Sequence, residues 1–212
     1  MLTNVIKVSL VNLLLLFSAC GESVFESPAE YVQAVGASKS PLRQEKTLAN
    51  FRYEVLYKPL DYVVLQEYPE AERERRKKEY AGMQYYTFRI VCPKWKDDLL
   101  KYGTEDYTEY TQRLAYCMSA MQEQLLLEES GQVRPCRLFH YERLHQLDAG
   151  LTFLIAFDKN PAEREAELAD RAFEYTDKTL IFDDRLFGNG QIRLTIPGKN
   201  LNKQPRFLAQ TR

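Results

Sequence analysis

The chain has little of what usually announces chemistry. It holds one tryptophan, Trp95, and two histidines among 212 residues. Any imidazole chemistry therefore rests on His140 and His145. Neither sign of charge is in excess: 29 Lys and Arg face 30 Asp and Glu, a formal net charge of −1 with histidine neutral. That balance argues against a nucleic-acid partner and against electrostatic adhesion to a membrane. No apolar run approaches the roughly 20 residues of a spanning helix. There is no G-x-S-x-G elbow, no G-x-x-x-x-G-K phosphate loop and no H-E-x-x-H pair. Low-complexity tracts and internal repeats are missing too. No cofactor is expected.

What is present begins with the leader. Met1–Lys7 is short and carries one cation, Lys7, and Val8–Phe17 is apolar apart from Ser9 and Asn12. A run of about ten apolar residues suits an export signal. An ordinary signal-peptidase cut before Cys20 would put bulky Phe17 where a small residue is needed. Phe17-Ser18-Ala19-Cys20 instead resembles a lipobox, with Phe17 in place of the usual Leu. The competing reading is a plain signal peptide with an incidental cysteine. On the lipobox reading the mature chain starts at Cys20 and bears a thioether to diacylglycerol. Each buried methylene contributes about 0.8 kcal/mol, so two or more chains hold a protein stably where one does not. Cleavage removes Lys7 and leaves a net charge of −2.

Three cysteines remain beyond the leader: Cys92, Cys117 and Cys136. An odd set in an oxidising compartment allows at most one internal disulfide, in any of three pairings, or three buried free thiols. Tyr is abundant, at 14 residues. Strand faces and a half-buried rim account for it, and a ligand-stacking platform is the sharper reading.

Local signals divide the chain as follows. Ser27-Pro28-Ala29-Glu30 starts a helix as N-cap, proline and capping glutamate, to end near Gly36. Ala37–Ala49 reads as loop. Phe51–Tyr57 alternates as a half-buried strand, Leu60–Gln66 leans toward helix, and Glu70–Glu79 is a solvated helix laced by pairs such as Glu72–Arg76. Tyr85–Cys92 is a strand, 105–117 a helix, and 119–128 a strand. Val133–Glu142 reads as one strand, at an edge or bulged at Pro135. Leu151–Asp158 is apolar on both faces and so internal. Asn160-Pro161-Ala162-Glu163 opens a polar helix ending before Thr176. Thr179–Phe182 and Gln191–Ile196 are the last strands, joined through Gly188-Asn189-Gly190, and the tail from Pro197 lies on the surface.

About seven strands with hairpin-like connections and a few peripheral helices predict an α+β fold, largely antiparallel β, with a sandwich as one arrangement. The organisation expected is a lipoprotein signal peptide over 1–19, then a tether, short helix and loop over 20–49. A single globular antiparallel β-rich domain follows over 50–212, long enough to bury roughly 70% of its unfolded surface.

Three stretches carry a resemblance: FRYEVLYKPLDYVVLQE (51–67), PCRLFHYERLHQLDAGLTFLIAFD (135–158) and DKTLIFDDRLFGNGQIRL (177–194). Together they resemble uncharacterised lipoproteins of Bacteroidota-type Gram-negative bacteria. The resemblance implies an envelope location. It brings no activity, cofactor, ligand or site residue with it.

Candidate chemistry is thin. His140, Glu142 and His145 form the one His/carboxylate cluster, and a zinc site needs three such ligands converging near about 2 Å. Asp183, Asp184 and Asn189, with Asp177 upstream, offer oxygens to calcium, but Asp beside Gly and Asn is what a turn needs anyway. Two functions remain in view. One is a lipid-anchored cell-envelope protein, at the outer membrane, acting as a non-catalytic module for an envelope protein or glycan. The other is a hydrolase or metal-dependent enzyme centred on His140, Glu142 and His145.

Overall fold

Alternation along one strand, Met83–Val91 (β4), decides which side of the molecule is inside. Tyr86, Phe88 and Ile90 are almost wholly buried, while Thr87 and Arg89 between them are only half-buried on the opposite face. The same period-two logic runs through the neighbouring strands. The structure, a computed structural model, describes residues 23–143 and 150–208. The acylation residue read from the sequence, Cys20, and the third member of the histidine cluster, His145, lie outside the described residues.

Two antiparallel sheets carry the fold. The larger takes β4 together with Arg43–Leu48 (β2), Phe51–Lys58 (β3), Leu138–Glu142 (β7) and Leu151–Asp158 (β8), in the order β2-β3-β4-β8-β7. The smaller takes Leu125–Glu129 (β5), Gln132–Pro135 (β6), Lys178–Asp184 (β9) and Gly190–Ile196 (β10), in the order β10-β9-β5-β6. The sheets share one core. Phe88 of β4 meets Phe182 of β9 edge to face at 5.1 Å, and Tyr53 of β3 lies 6.4 Å from the same ring. This is the α+β, largely antiparallel arrangement that the sequence predicts.

Helices cover the flanks. They are Pro28–Gly36 (α1), Leu60–Glu67 (α2), Glu70–Tyr80 (α3), Tyr107–Met118 (α4), Pro161–Leu168 (α5) and Gly198–Leu201 (α6). Ser27 caps α1 by accepting from the Glu30 amide at 3.5 Å, and Asn160 caps α5 by accepting from Ala162 at 3.0 Å. Val63 of α2 packs on Tyr85 and Ala156, which face outward from β4 and β8. The charged α3 buries no residue and carries the Glu72–Arg76 pair at 3.4 Å. None of the described helices is long and apolar enough to cross a membrane.

Several expectations are corrected. The loop expected over 37–49 contains β2, an exposed edge strand without apolar alternation. The stretch read as a tether contains Val24–Phe25 (β1), and the surface tail contains α6 and Arg206–Phe207 (β11). These two short strands pair in parallel. Tyr31, Val35 and Leu42 belong to the main core, so packing continues across residue 50. The strand expected over 119–128 starts as a 3-10 turn, Ala120–Gln124, and only then becomes β5.

The single strand expected over 133–142 is two strands in different sheets. The Cys136 amide bonds Leu125 of the small sheet at 3.1 Å, and the next amide, Arg137, bonds Ala156 of the large sheet at 2.8 Å. Pro135, which cannot donate to a ladder, closes the edge strand β6 just before the crossing. The helix begun at Asn160 stops at Leu168, where Asp170 takes φ 48°, and 171–177 runs on without helix.

Candidate functional site

The site grows from one buried cation. Lys178 opens β9, directly across the ladder from Glu129 of β5. Its side chain is wholly buried. Such a charge costs several kcal/mol to desolvate unless partners compensate. Here Lys178 Nζ donates to Glu163 Oε2 at 2.8 Å and to Gln84 Oε1 at 2.7 Å, and lies 3.0 Å from Glu129 Oε1. Arg134 reaches the other oxygen of Glu129 at 2.9 Å. Two cations thus face two carboxylates, and the centre is neutral as a whole.

Neutral groups complete the shell. Tyr86 donates to Gln84 Oε1 at 2.8 Å, and Gln84 Nε2 donates to the Asp158 carbonyl at 3.1 Å. The rings of Tyr57 and Tyr175 lie 5.3 Å and 5.6 Å from Lys178 Nζ, within cation–π range. Burial, and then the charge of Glu163, pushes the hydroxyls of Tyr57 and Tyr86 well above the ordinary tyrosine range. Both therefore stay protonated. One oxygen, Glu163 Oε1, is buried with no hydrogen-bond partner among the described residues.

Above this centre lies a cleft of about 980 Å³. Its walls come from α1, the N-terminus of α2, one side of α3, the end of α5, and the segments 170–175 and 201–208. Tyr175 belongs both to the cleft wall and to the shell around Lys178. Its backbone is clamped: Asn202 Oδ1 accepts from the Tyr175 amide at 2.8 Å, and Asn202 Nδ2 donates to its carbonyl at 3.3 Å. Gly198 is obligatory in this clamp, because a Cβ there would stand 2.4 Å from the Tyr175 carbonyl oxygen.

Several of the cleft's charges are paired. Glu167 pairs with the buried Lys159, and Asp61 with Lys77. Burial raises the Glu167 carboxyl above the ordinary carboxylate range; attraction to Lys159 opposes this, and the charges of Glu163 and Asp61 add to it. Tyr31 is raised well above its ordinary value, first by burial and then by Asp61 and Glu167. Half-buried rings at Phe173, Tyr175 and Phe207 line the same cleft.

The residues singled out from the sequence lie elsewhere. His140 and Glu142 share the outer face of edge strand β7, opposite Leu154 and Thr152. Neither lines the cleft. Lys58 is close enough for Glu142 to offset part of the burial that lowers its amine. Among the described residues no group of three His, Cys, Asp or Glu is placed to hold a metal.

Asp184 is turned inward. It accepts from Tyr53 at 2.5 Å, from Asn189 at 2.9 Å, and from the amides of Leu186 and Phe187 at 3.1 Å and 2.9 Å. It builds the β9–β10 turn, where Gly188 and Gly190 take φ 69° and 70°. Asp177 instead accepts from the Gly198 amide, and Asp183 from Arg185. Asp184 and Asn189 thus meet in one turn as hydrogen-bond partners, while Asp183 and Asp177 are taken by Arg185 and the Gly198 amide. Cys92, Cys117 and Cys136 are free and buried, and burial pushes the thiols of Cys117 and Cys136 up to about 12. Trp95 donates its indole N–H to the Asp98 carbonyl at 3.1 Å and meets Tyr102 edge to face.

Sequence reasoning missed Lys178, Glu129, Glu163 and Gln84 as a group. The one available signal was a glutamate and a lysine at the ends of largely apolar strands, since such residues are almost never fully buried unless paired. No family model matches the chain, and no curated protein sequence matches it. Among solved structures, a protein of unknown function from Burkholderia pseudomallei is similar over 83% of this chain and 88% of that one, at 10% identity and a TM-score of 0.40.

Proposed function

We propose that this chain is a cell-envelope lipoprotein, acylated at Cys20, whose β-rich domain is a non-catalytic binding module with the cleft as its binding site. The leader Val8–Cys20 supports the anchor. The cleft supports the module, and its lining is the observation that carries the reading. Half-buried aromatic rings at Phe173, Tyr175 and Phe207 share the lining with the polar groups of Asp61, Glu167 and Asn202. A pyranose has C–H-rich faces and a hydroxyl-rich rim, and such a wall meets both. An envelope glycan is therefore the ligand class, and the outer membrane is the expected location.

The rigid centre below serves this role by orientation. Tyr175 is fixed by Asn202 on one side and by Lys178 on the other, so its ring is preorganised. Preorganisation lowers the ordering cost of binding.

Titration calorimetry of the acylated chain with soluble glycan fragments of the envelope tests the reading. Binding is expected, with a severalfold loss in Phe173→Ala. Exposed Glu174→Gln, on the same wall, leaves folding untouched and reports the polar rim. Absence of heat with every fragment, or equal affinity in the Phe173→Ala chain, would refute the cleft as the site. Palmitate labelling of the wild type but not of Cys20→Ala checks the anchor separately.

A further inference from the structure

The large apolar side chains left exposed include Val24 at 51%, Leu168 at 45% and Leu208 at 46%. Val24 and Leu208 belong to the β1–β11 end, and Leu168 ends α5 on the cleft wall that Leu208 also lines. In the parallel pair Val24 stands beside Arg206 and Phe25 beside Phe207. The Leu208 amide continues the ladder onto the Phe25 carbonyl at 2.9 Å. Phe25 and Phe207 turn inward onto the Tyr31 ring at 6.2 Å and 5.8 Å. By strand alternation Val24, Arg206 and Leu208 then point out. Arg206 pairs with Asp170 at 3.2 Å, which ties this face to the end of α5, where Leu168 is exposed. Leu168 and Leu208 both stand on the cleft wall.

The distance to the anchor selects the occupant. Cys20 precedes Val24 by four residues. Four residues span at most about 14 Å when fully extended. A domain of this size has a radius of gyration of about 16 Å. A tether shorter than that radius cannot carry the far side of the domain round to the bilayer. We infer that the β1–β11 end, with Val24, Leu208 and Leu168, docks on the lipid surface. The inference rests on acylation at Cys20 and goes beyond it, because an anchored domain need not touch the bilayer.

Charge does not drive the contact. The cations that line the cleft, Lys77, Lys78, Arg171 and Arg206, stand among the acids Asp61, Glu74, Glu167, Asp170 and Glu174, so the face carries no excess of positive charge. Docking is therefore apolar, and it persists on uncharged phosphatidylcholine and at high salt. It sets the cleft mouth beside the headgroups.

The experiment uses the full acylated chain in phosphatidylcholine vesicles that contain a nitroxide-bearing phospholipid. A fluorophore is placed on Val24→Cys, Leu168→Cys or Leu208→Cys, and for comparison on Leu48→Cys or Tyr107→Cys. Leu48 of β2 stands opposite the Phe51 end of β3, about 20 Å of strand from the Tyr57 end beneath the cleft. The native thiols are buried and do not take the label.

Quenching severalfold stronger at 24, 168 and 208 than at 48 and 107 is expected, together with its loss at 168 when Val24→Asp and Leu208→Asp are combined. Equal quenching at all five positions, in a chain that still floats with vesicles, would overturn the docking and leave the anchor standing. A contrast at 168 unchanged by the double substitution would overturn the apolar face as its cause. A chain that carries no acyl mass at Cys20 and does not float would overturn the anchor, and the docking with it.

Discussion

At the scale of single residues, the side chain with most at stake is Lys178. Lys178→Met removes a wholly buried cation and leaves Glu163 and Glu129 facing each other without it. Stranding a buried partner costs about 3–5 kcal/mol. Urea unfolding should show a loss of that order. Adding Glu163→Leu to Lys178→Met should recover part of it, because an apolar replacement of the whole pair strands no charge. Recovery is expected to be incomplete, since Gln84 also loses a hydrogen bond. A small cost for the single change, with no recovery in the double, would mean that water already reaches the centre. None of this was legible from sequence. Rarity drew attention to His140, Glu142 and His145, whereas the centre uses common residue types from four distant stretches. At the start of α5 the Asn160 side chain holds the Ala162 amide, and Glu163 turns inward to Lys178. Gly198 gives a second test. A Cβ meeting backbone at 2.4 Å forces Gly198→Ala to move the Tyr175 segment, at a cost of about 1–3 kcal/mol in thermal unfolding.

Elements were legible where their own residues specify them and obscure where the partner does. Caps marked the starts of α1 and α5, alternation marked β3 and β4, and a run apolar on both faces marked β8. The strand β2 was invisible because its exposed residues follow no apolar pattern; the ladder to β3 alone makes it a strand. The split between β6 and β7 was invisible for the opposite reason, since both halves look like strand and only the change of carbonyl partner after Pro135 separates them. The C-terminal pair β1–β11 is the least local element, with 182 positions between Val24 and its partner Arg206. Its inner face is a testable claim. Phe207 packs on the buried Tyr31 and belongs to the main core's margin. Phe207→Ala should cost about 2 kcal/mol, less than a fully buried ring because Phe207 keeps some exposure. It should also speed hydrogen exchange at the Arg206 and Leu208 amides, which bond Ser23 and Phe25. Unchanged exchange would return the tail to the role of a surface appendage.

For the molecule as a whole, the abundance of tyrosine has an energetic consequence that no single strand shows. The hydroxyls of Tyr31, Tyr53, Tyr57, Tyr86, Tyr141 and Tyr175 are all raised, with burial the first cause in each, and Tyr85 and Tyr116 are pushed up to about 12. In the unfolded chain these groups titrate near 10. Between the two values the folded state holds protons that the unfolded state releases, so stability falls as pH rises. The contribution is complete below pH 10 and is lost from there through about 12 and beyond. The thiols of Cys117 and Cys136 act with the same sign from their ordinary range near 9 up to about 12. Glu167 acts with the same sign in the acidic range: its raised carboxyl makes the folded state slightly favoured as pH falls through the region just above the ordinary carboxylate range, and that contribution is lost as pH rises. Alkaline unfolding is therefore expected to be steep and cooperative. Followed together, the tyrosinate absorbance of the buried rings and far-ultraviolet circular dichroism should change over one pH interval. Most tyrosines ionising near 10 while the dichroism stays native would show that the rings are solvated, and the shared core of the two sheets would then be looser than its packing implies.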